Sequence, residues 1–566
     1  MNRNAESHFA LAPRVNAPRS KFSRPFNHKT TFNLGRLIPF YWTEVIPGQS
    51  TKLVSHKVVR TQPLVSAPMD NLYLDTYFFF VPNRLVWSHW KEFMGENTTA
   101  PWVQTGSYQV PQLYLQGGSN VKINTGTLPD YFGIPTNVIG SGSKLEFNAL
   151  PFRAYALIVR EFFQDENIET PVNVPTTDTD TSCTGQQGIA TLDNNYVNYM
   201  YRGGAPYIVN KYHDYFTSCL PAPVKSPTDI LAVPNGIVAP LNDADWTFDE
   251  LKAIYGGTLP AAAKGTYASL SDLRSNGDSA SKGVLVADNN SGDVTFEPAT
   301  YDPLFPTNLA AYTNVSISDL RTAFQLQRLL ERDAYSGTRY IEILLGHFGV
   351  HSPDASLQRP QYLGGKRTMI NFNSVVQTSA TSTTSPQGNI AGYSLTADSE
   401  FDFDSSFTEH GFIIGLCCVR NKNTYSQGLN RMMSRKTRYD YYWPELANIS
   451  NIAVLKKELY ADGSANDNDV FGYQEAWAEY RYHPDMVTGE MRPGISNTLA
   501  SWHFGDYYSQ APTLSRSWLQ ADKSNLDRSL AIQSSVSMQL FAEFQFEEIS
   551  TLPMPVYSIP GLIDHM

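Results

Sequence analysis

Apolar and polar residues alternate in three widely separated stretches of the chain. From Leu72 to Phe80, one face of an extended strand would hold Leu72, Leu74, Thr76, Phe78 and Phe80, and the other Tyr73, Asp75, Tyr77 and Phe79. Near the C-terminus, Met538, Leu540, Ala542, Phe544 and Phe546 alternate with Gln539, Phe541, Glu543, Gln545 and Glu547. Phe401, Phe403 and Phe407 alternate with Asp402 and Asp404. A period of two predicts half-buried strands at all three places. These strands are far apart in sequence, so their sheet has to be assembled from non-local pieces.

Helical periodicity is rarer. Leu150, Ala154, Leu157, Ile158 and Phe162 share one face of a helix, with Pro151 in the first turn, where a missing N–H costs nothing. Ser316 and Asp319 form a capping pair ahead of Leu320, Ala323, Phe324 and Leu330. Ile341 to Phe348 predicts a short further helix. Residues 221–305 differ in composition: Ala, Gly, Ser, Thr, Asn, Asp and Pro dominate, with one short helical pattern around Phe248 to Tyr255. They read as a surface excursion between structured elements, or alternatively as a flexible linker between two domains. No repeat of fixed period occurs.

Length and composition sharpen this picture. A chain of 566 residues is either several domains or one core with long insertions. Charged residues are 17%, below the roughly 25% of soluble proteins, while 32 Tyr and 30 Phe give an aromatic-rich chain. That combination predicts a β-rich protein whose surface is partly covered by partners. The longest apolar run, Gly411 to Val419, is half a membrane span, so no insertion into a membrane is expected. Met1 to Arg14 lacks the apolar core of a secretory signal. Four cysteines (Cys183, Cys219 and the adjacent Cys417 and Cys418) make no disulfide framework and no zinc ladder.

Charge is unevenly spread. Residues 1–40 hold seven basic residues, Arg14, Arg19, Lys21 and Arg24 among them, against Glu6 alone, in a chain of net charge −11. With four prolines in residues 1–40 and no regular period, residues 1–48 read as a basic extended arm that either docks on a polyanion or merely solubilises the terminus. A second basic stretch, Arg431, Arg435, Lys436 and Arg438, runs into Tyr439, Tyr441, Tyr442 and Trp443. Cations for phosphates beside aromatic faces for unstacked bases suit a single-stranded nucleic acid. The spacing equally fits a solvated basic turn next to a core-forming aromatic strand.

Catalytic and metal motifs fail on inspection. Leu363-Gly364-Gly365-Lys366-Arg367-Thr368 resembles a phosphate loop, but Pro360 stands at the first glycine position and Arg367 where Ser or Thr is needed. The Asp467 to Gly472 stretch lacks a calcium loop's fifth and twelfth ligands, having Phe471 and Ala478 there. His347 and His351 have no accompanying carboxylate motif, and Pro353 ends any helix beside them. No nucleophile elbow occurs. No enzyme, cofactor or metal is therefore expected.

An ordered set of segments carries a resemblance: Thr31-Phe32-Asn33-Leu34-Gly35-Arg36-Leu37-Ile38-Pro39, Glu44-Val45-Ile46-Pro47-Gly48, Ala67-Pro68-Met69-Asp70-Asn71, Phe79-Phe80-Val81-Pro82-Asn83-Arg84, Leu150-Pro151-Phe152-Arg153-Ala154-Tyr155, Phe348-Gly349-Val350-His351-Ser352-Pro353-Asp354, Gln358-Arg359-Pro360 and Phe471-Gly472-Tyr473-Gln474-Glu475. Over nearly its full length the chain resembles the major capsid protein of microvirus-family single-stranded DNA phages, nearest the gokushovirus branch. The resemblance implies a mainly β protein, an eight-stranded antiparallel jelly roll (a viral capsid β-sandwich) with long, partly helical inter-strand insertions. On this division residues 49–566 are the jelly-roll domain, and 221–305 the insertion that gathers at the three-fold axes.

It also implies a structural subunit of a T=1 icosahedral shell around a circular single-stranded DNA genome, assembled in the bacterial cytoplasm and found in the virion. Implied partners are further copies of the chain, the genome, internal scaffolding and DNA-pilot or small DNA-binding phage proteins, and a host surface receptor. The rival expectations are a jelly-roll carbohydrate-binding or glycan-degrading protein, which should be secreted, and a dedicated single-stranded nucleic-acid-binding protein, which acidity and size disfavour.

Overall fold

In the computed structural model the structure describes residues 18–96, 108–118, 120–186, 199–223, 358–381, 383 and 386–557. It further describes residues 325–328 and the strand backbones at 284–287 and 294–297. The chain divides into two compact units, Met1–Pro223 with Ser336–Met566, and Val224–Tyr335. Within the second unit, Val284–Ala287 and Val294–Glu297 pair antiparallel. The expected helix after Ser316 lies outside the described residues apart from 325–328, which are helical, and the Ile341–Phe348 helix lies outside them altogether.

The first unit is built on nine strands in two antiparallel sheets. They are β1 (Ser20–Ser23), β2 (Phe26–Phe32), β3 (Ile38–Val45), β4 (Ser50–Thr61), β5 (Leu72–Pro82), β6 (Gln361–Met369), β7 (Thr396–Ser406), β8 (Gly411–Asn421) and β9 (Leu540–Leu552). The first sheet runs β1-β9-β4-β7, with β2 also paired to β9; the second runs β6-β5-β8-β3. The C-terminal strand β9 is thus hydrogen-bonded to strands from the start of the chain, which is the non-local assembly the patterning requires.

Alternation is cleanest in β9, where Leu540, Ala542, Phe544 and Phe546 are buried and the residues between them face outward. Those inward rings meet the second sheet: Phe544 lies 4.6 Å from Phe40 between ring centroids, and Phe40 lies 5.4 Å from Phe78. The second sheet is covered on its other face by helix α1 (Leu150–Phe162), whose Phe162 packs 4.7 Å from Phe79. A strand buried on both faces has no use for polar alternation. This explains why β8 is the longest apolar run of the chain, buried at every position from Gly411 to Val419. Helix α1 starts as expected, with Pro151 in its first turn.

Two readings of the sequence change. A bulge between Phe401 and Phe403 in β7 reverses the faces, so Phe401 is 55% exposed while Asp402 is buried beside Phe403. The extra residue in a bulge flips every side chain beyond it, which a strict period of two does not anticipate. Residues 1–48, read as an arm, supply β1, β2 and β3 to the two sheets from Ser20 onward.

The Leu363–Thr368 stretch is strand β6, paired to β5. Its glycines serve close strand packing: a Cβ on Gly364 would sit 2.4 Å from the Asp402 carbonyl oxygen, and one on Gly365 2.2 Å from that of Thr76. Lys366 and Thr368 both reach Asp398 across the sandwich edge, at 3.1 and 2.7 Å.

Candidate nucleic-acid interface

After β8 the chain leaves the sandwich and folds over a second, smaller core formed by Tyr215, Phe216, Tyr425, Val454, Leu459, Phe471 and Trp518, among others. The basic–aromatic stretch lies on this core as successive tight turns at Arg431–Ser434, Arg438–Asp440 and Pro444–Leu446. Short polar side chains hold the turns. The Asn430 side chain accepts the Met432 N–H at 3.0 Å. Asp440 accepts the N–H groups of Lys436 and Thr437 at 2.8 and 2.7 Å, and these bonds hold its carboxyl below the usual range. The indole of Trp443 donates to the Arg438 carbonyl at 2.8 Å. A turn fixed in this way presents its rings outward: Tyr439, Tyr441, Tyr442 and Trp443 are all exposed, Tyr439 by 61%.

The four cations divide into two pairs. Arg431 Nη1 reaches Glu458 Oε1 at 3.2 Å and the Ala453 carbonyl at 3.0 Å. Burial works against its charge, yet Glu458, Tyr215 and Glu479 keep its pKa above the ordinary value. Arg435 reaches Glu479 at 3.4 Å and lies over the Tyr480 and Tyr441 rings at 4.5 and 5.3 Å. These two arginines are committed to the chain's own carboxylates and rings. Lys436 and Arg438 are exposed, and among the described residues neither has a carboxylate within salt-bridge distance. Arg438 stacks over Tyr439 at 4.7 Å. Two cations without a carboxylate partner, set among four exposed rings, are the part of this stretch whose chemistry suits a phosphate chain with unstacked bases.

The N-terminal residues divide similarly. Arg14 lies outside the described residues. Arg24 pairs with Glu548, whose side chain is 4% exposed, and donates to Ser550 Oγ at 3.2 Å. It ties the connection between β1 and β2 to β9. Arg19 donates to the Gly48 carbonyl and remains exposed, as does Lys21.

The most constrained charge cluster is structural. Asp75, 2% exposed, accepts from Arg367 Nε at 2.8 Å, Arg420 Nε at 3.1 Å and the Tyr212 hydroxyl at 2.8 Å. Both guanidinium groups sit 4.1 Å from the Tyr212 ring. All four cysteines are free and buried, and burial pushes the Cys183 and Cys418 thiols up to about 12. Among the described residues no group of three His, Cys, Asp or Glu is placed to hold a metal; His347 and His351 lie outside them.

Comparison with known proteins gives one consistent answer. The family model described as capsid protein (F protein) matches residues 10–562. Capsid protein VP1 of Spiroplasma virus 4 is 40% identical over 99% of this chain and 98% of that protein. Capsid protein VP1 of Chlamydia phage 1 is 36% identical, with 98% of each chain covered. Capsid protein VP1 of Bdellovibrio phage phiMH2K is 34% identical over 99% of this chain and 98% of that one.

Proposed function

The chain belongs to the phage capsid protein (F protein) family, and on that premise we propose that it is the subunit of a T=1 icosahedral shell enclosing circular single-stranded DNA. It is a major capsid protein of microvirus type, with its place in the virion. The observation that carries the reading is the end-to-end match to three capsid proteins named VP1. The family is structural, and nothing in the described residues calls for catalysis.

The strand orders support a jelly roll. Leaving aside the short β1, two four-stranded sheets with orders β2-β9-β4-β7 and β3-β8-β5-β6 match the strand orders expected of an eight-stranded double Greek key. In this reading the 221–305 segment is the insertion that meets the host at the three-fold axes. Internal scaffolding and DNA-pilot or small DNA-binding proteins join during assembly in the bacterial cytoplasm. Closed shells need heterologous contacts around their symmetry axes, and exposed apolar side chains, including Met432, Met433, Tyr442, Tyr480 and Met486, are available for them.

Electron microscopy of particles from cells co-expressing the chain with its scaffolding partner tests the shell. Uniform closed particles are expected. Monomers or open sheets alone under gentle conditions would overturn the proposal. The carbohydrate-binding alternative is favoured by no specific observation.

A further inference from the structure

We infer that the outward face of the first sheet is a platform for single-stranded nucleic acid, an assignment that rests on the reading of the chain as a shell around such a genome. The register places six side chains on one face. Lys21 lies opposite Thr551, Lys29 opposite Glu543, and Phe541 opposite both Thr31 and Arg60. On the far side of β4, the bulge in β7 turns Phe401 outward, where Lys52 Nζ sits 5.5 Å above its ring. Phe541 is 40% exposed and Phe401 55%. Each ring therefore sits beside a cation on a neighbouring strand.

The charges on this face are not mutually cancelled. Glu543 lies 3.7 Å from Lys29, and Glu547 lies 3.5 Å from His56. Asp404 stands opposite Lys52 in the register. Even so, among the described residues Lys21, Lys52 and Arg60 have no carboxylate within salt-bridge distance. Beside Phe541 a groove of about 570 Å³ opens between β2, β4, β9 and the segment around Asp130, with Lys29 and Arg60 as well as Asp130 and Glu543 on its walls. Measured along β4, Phe541 stands opposite Arg60 and Phe401 opposite Val54, a separation of about 20 Å at the usual strand rise. That length accommodates several nucleotides of an extended strand.

Isolated rings set in a charged, hydroxyl-bearing sheet face differ from the contiguous apolar patch of a protein contact. A ring paired with an unneutralised cation matches one base and one phosphate, the unit a single strand presents and a duplex hides. The bulge that exposes Phe401 thus acquires a purpose.

The test uses assembled wild-type particles first. After ultraviolet cross-linking to the packaged DNA, peptides carrying Phe541 and Phe401 should bear nucleotide adducts; adducts confined to other segments would overturn the assignment. Then K52Q/R60Q particles should show a salt slope for genome retention shallower by about 1.4, at roughly 0.7 per single-strand phosphate contact. K52R/R60K should restore it. F401A/F541A should weaken retention by on the order of tenfold per ring while leaving the slope unchanged. If these variants assemble and keep wild-type affinity and slope, the platform is disproved. Wild-type shells that contain no single-stranded DNA would instead defeat the genome-enclosing reading itself.

Discussion

The ammonium of Lys57 lies 3.6 Å from Asp402 Oδ1 in the middle of the sandwich, where their side chains are 1% and 0% exposed. Lys57 also bonds Glu400 at 2.9 Å and Thr76 at 3.1 Å, so one cation ties β4 and β7 to β5. Ser55 donates to Asp402 Oδ1 at 2.9 Å, while Oδ2 has no hydrogen-bond partner. A buried carboxylate with one unsatisfied oxygen prefers to hold a proton, and burial raises Asp402 to about 6 although Lys57 opposes the shift.

That shift fixes the sign of a pH effect. The folded state binds the Asp402 proton more tightly than the unfolded chain, so this group stabilises the fold at low pH. Its contribution is lost as pH rises from about 3.8 to about 6. The size is on the order of 3 kcal/mol at roughly 1.4 kcal/mol per pH unit. Asp402→Asn cannot titrate. The difference in melting temperature between variant and wild type should therefore grow in the variant's favour across that window; a difference that is flat with pH would refute it.

Arg431 and Arg438 are close neighbours in sequence with different expected roles. Arg431→Ala strands Glu458, 4% exposed, without its cation. Removing one partner of a buried pair costs several kcal/mol; with Arg431 itself 23% exposed, roughly 2–3 kcal/mol is expected. Arg438→Ala should stay within about 0.5 kcal/mol, as an exposed substitution does. Urea titration of both variants separates them, and equal midpoints would show that Arg431 carries no structural load.

The sheets were legible where burial is one-sided. The period of two in Met538 to Glu547 located β9 and its inward face because that strand has one wet side. The 3.6 period of Leu150 to Phe162 located α1, but not its burial, since Phe152 to Val159 are all buried and Phe162 is exposed. Register and bulges were not legible. Nothing local distinguishes Phe401 from Phe403, since the bulge is set by how β7 meets β4 and by the approach of Gly364. For the candidate interface, clustering in sequence exposed Arg431 to Trp443 as a group but hid that Glu458 and Glu479, far along the chain, had already claimed two of its cations. Lys52 and Arg60 are the converse case, unremarkable in sequence and gathered only by strand pairing.

The 221–305 insertion should be separable from the shell subunit. Replacing about Asn242 to Thr295 with a short Gly/Ser linker removes the Val284–Ala287 strand and cuts its partner within the Val224–Tyr335 unit, but for the other unit it changes only the length of a connection, whose closure entropy varies slowly. Soluble, folded subunits that still assemble are expected, with attachment to host cells reduced. Loss of folded protein would mean that the segment contributes to the main core.

The exposed half of the basic stretch should govern part of the salt dependence of DNA retention. Lys436 and Arg438 have no carboxylate partner among the described residues and are set among Tyr439, Tyr441 and Trp443. Each single-strand phosphate contact contributes roughly −0.7 to the slope of log affinity against log salt. Changing both cations to Gln should therefore make the slope shallower by about 1.4 if both engage. Tyr439→Ala and Trp443→Ala should weaken retention at every salt concentration without changing the slope, because stacking releases no counterions. Arg431→Gln and Arg435→Gln should alter stability before they alter the slope, since their charges already face Glu458 and Glu479. Particles confirmed intact by electron microscopy, titrated across a salt series, decide the matter. A slope that falls with Arg431 and Arg435 but not with Lys436 and Arg438 would invert the division of labour, and no change with either pair would assign the whole stretch to contacts between subunits.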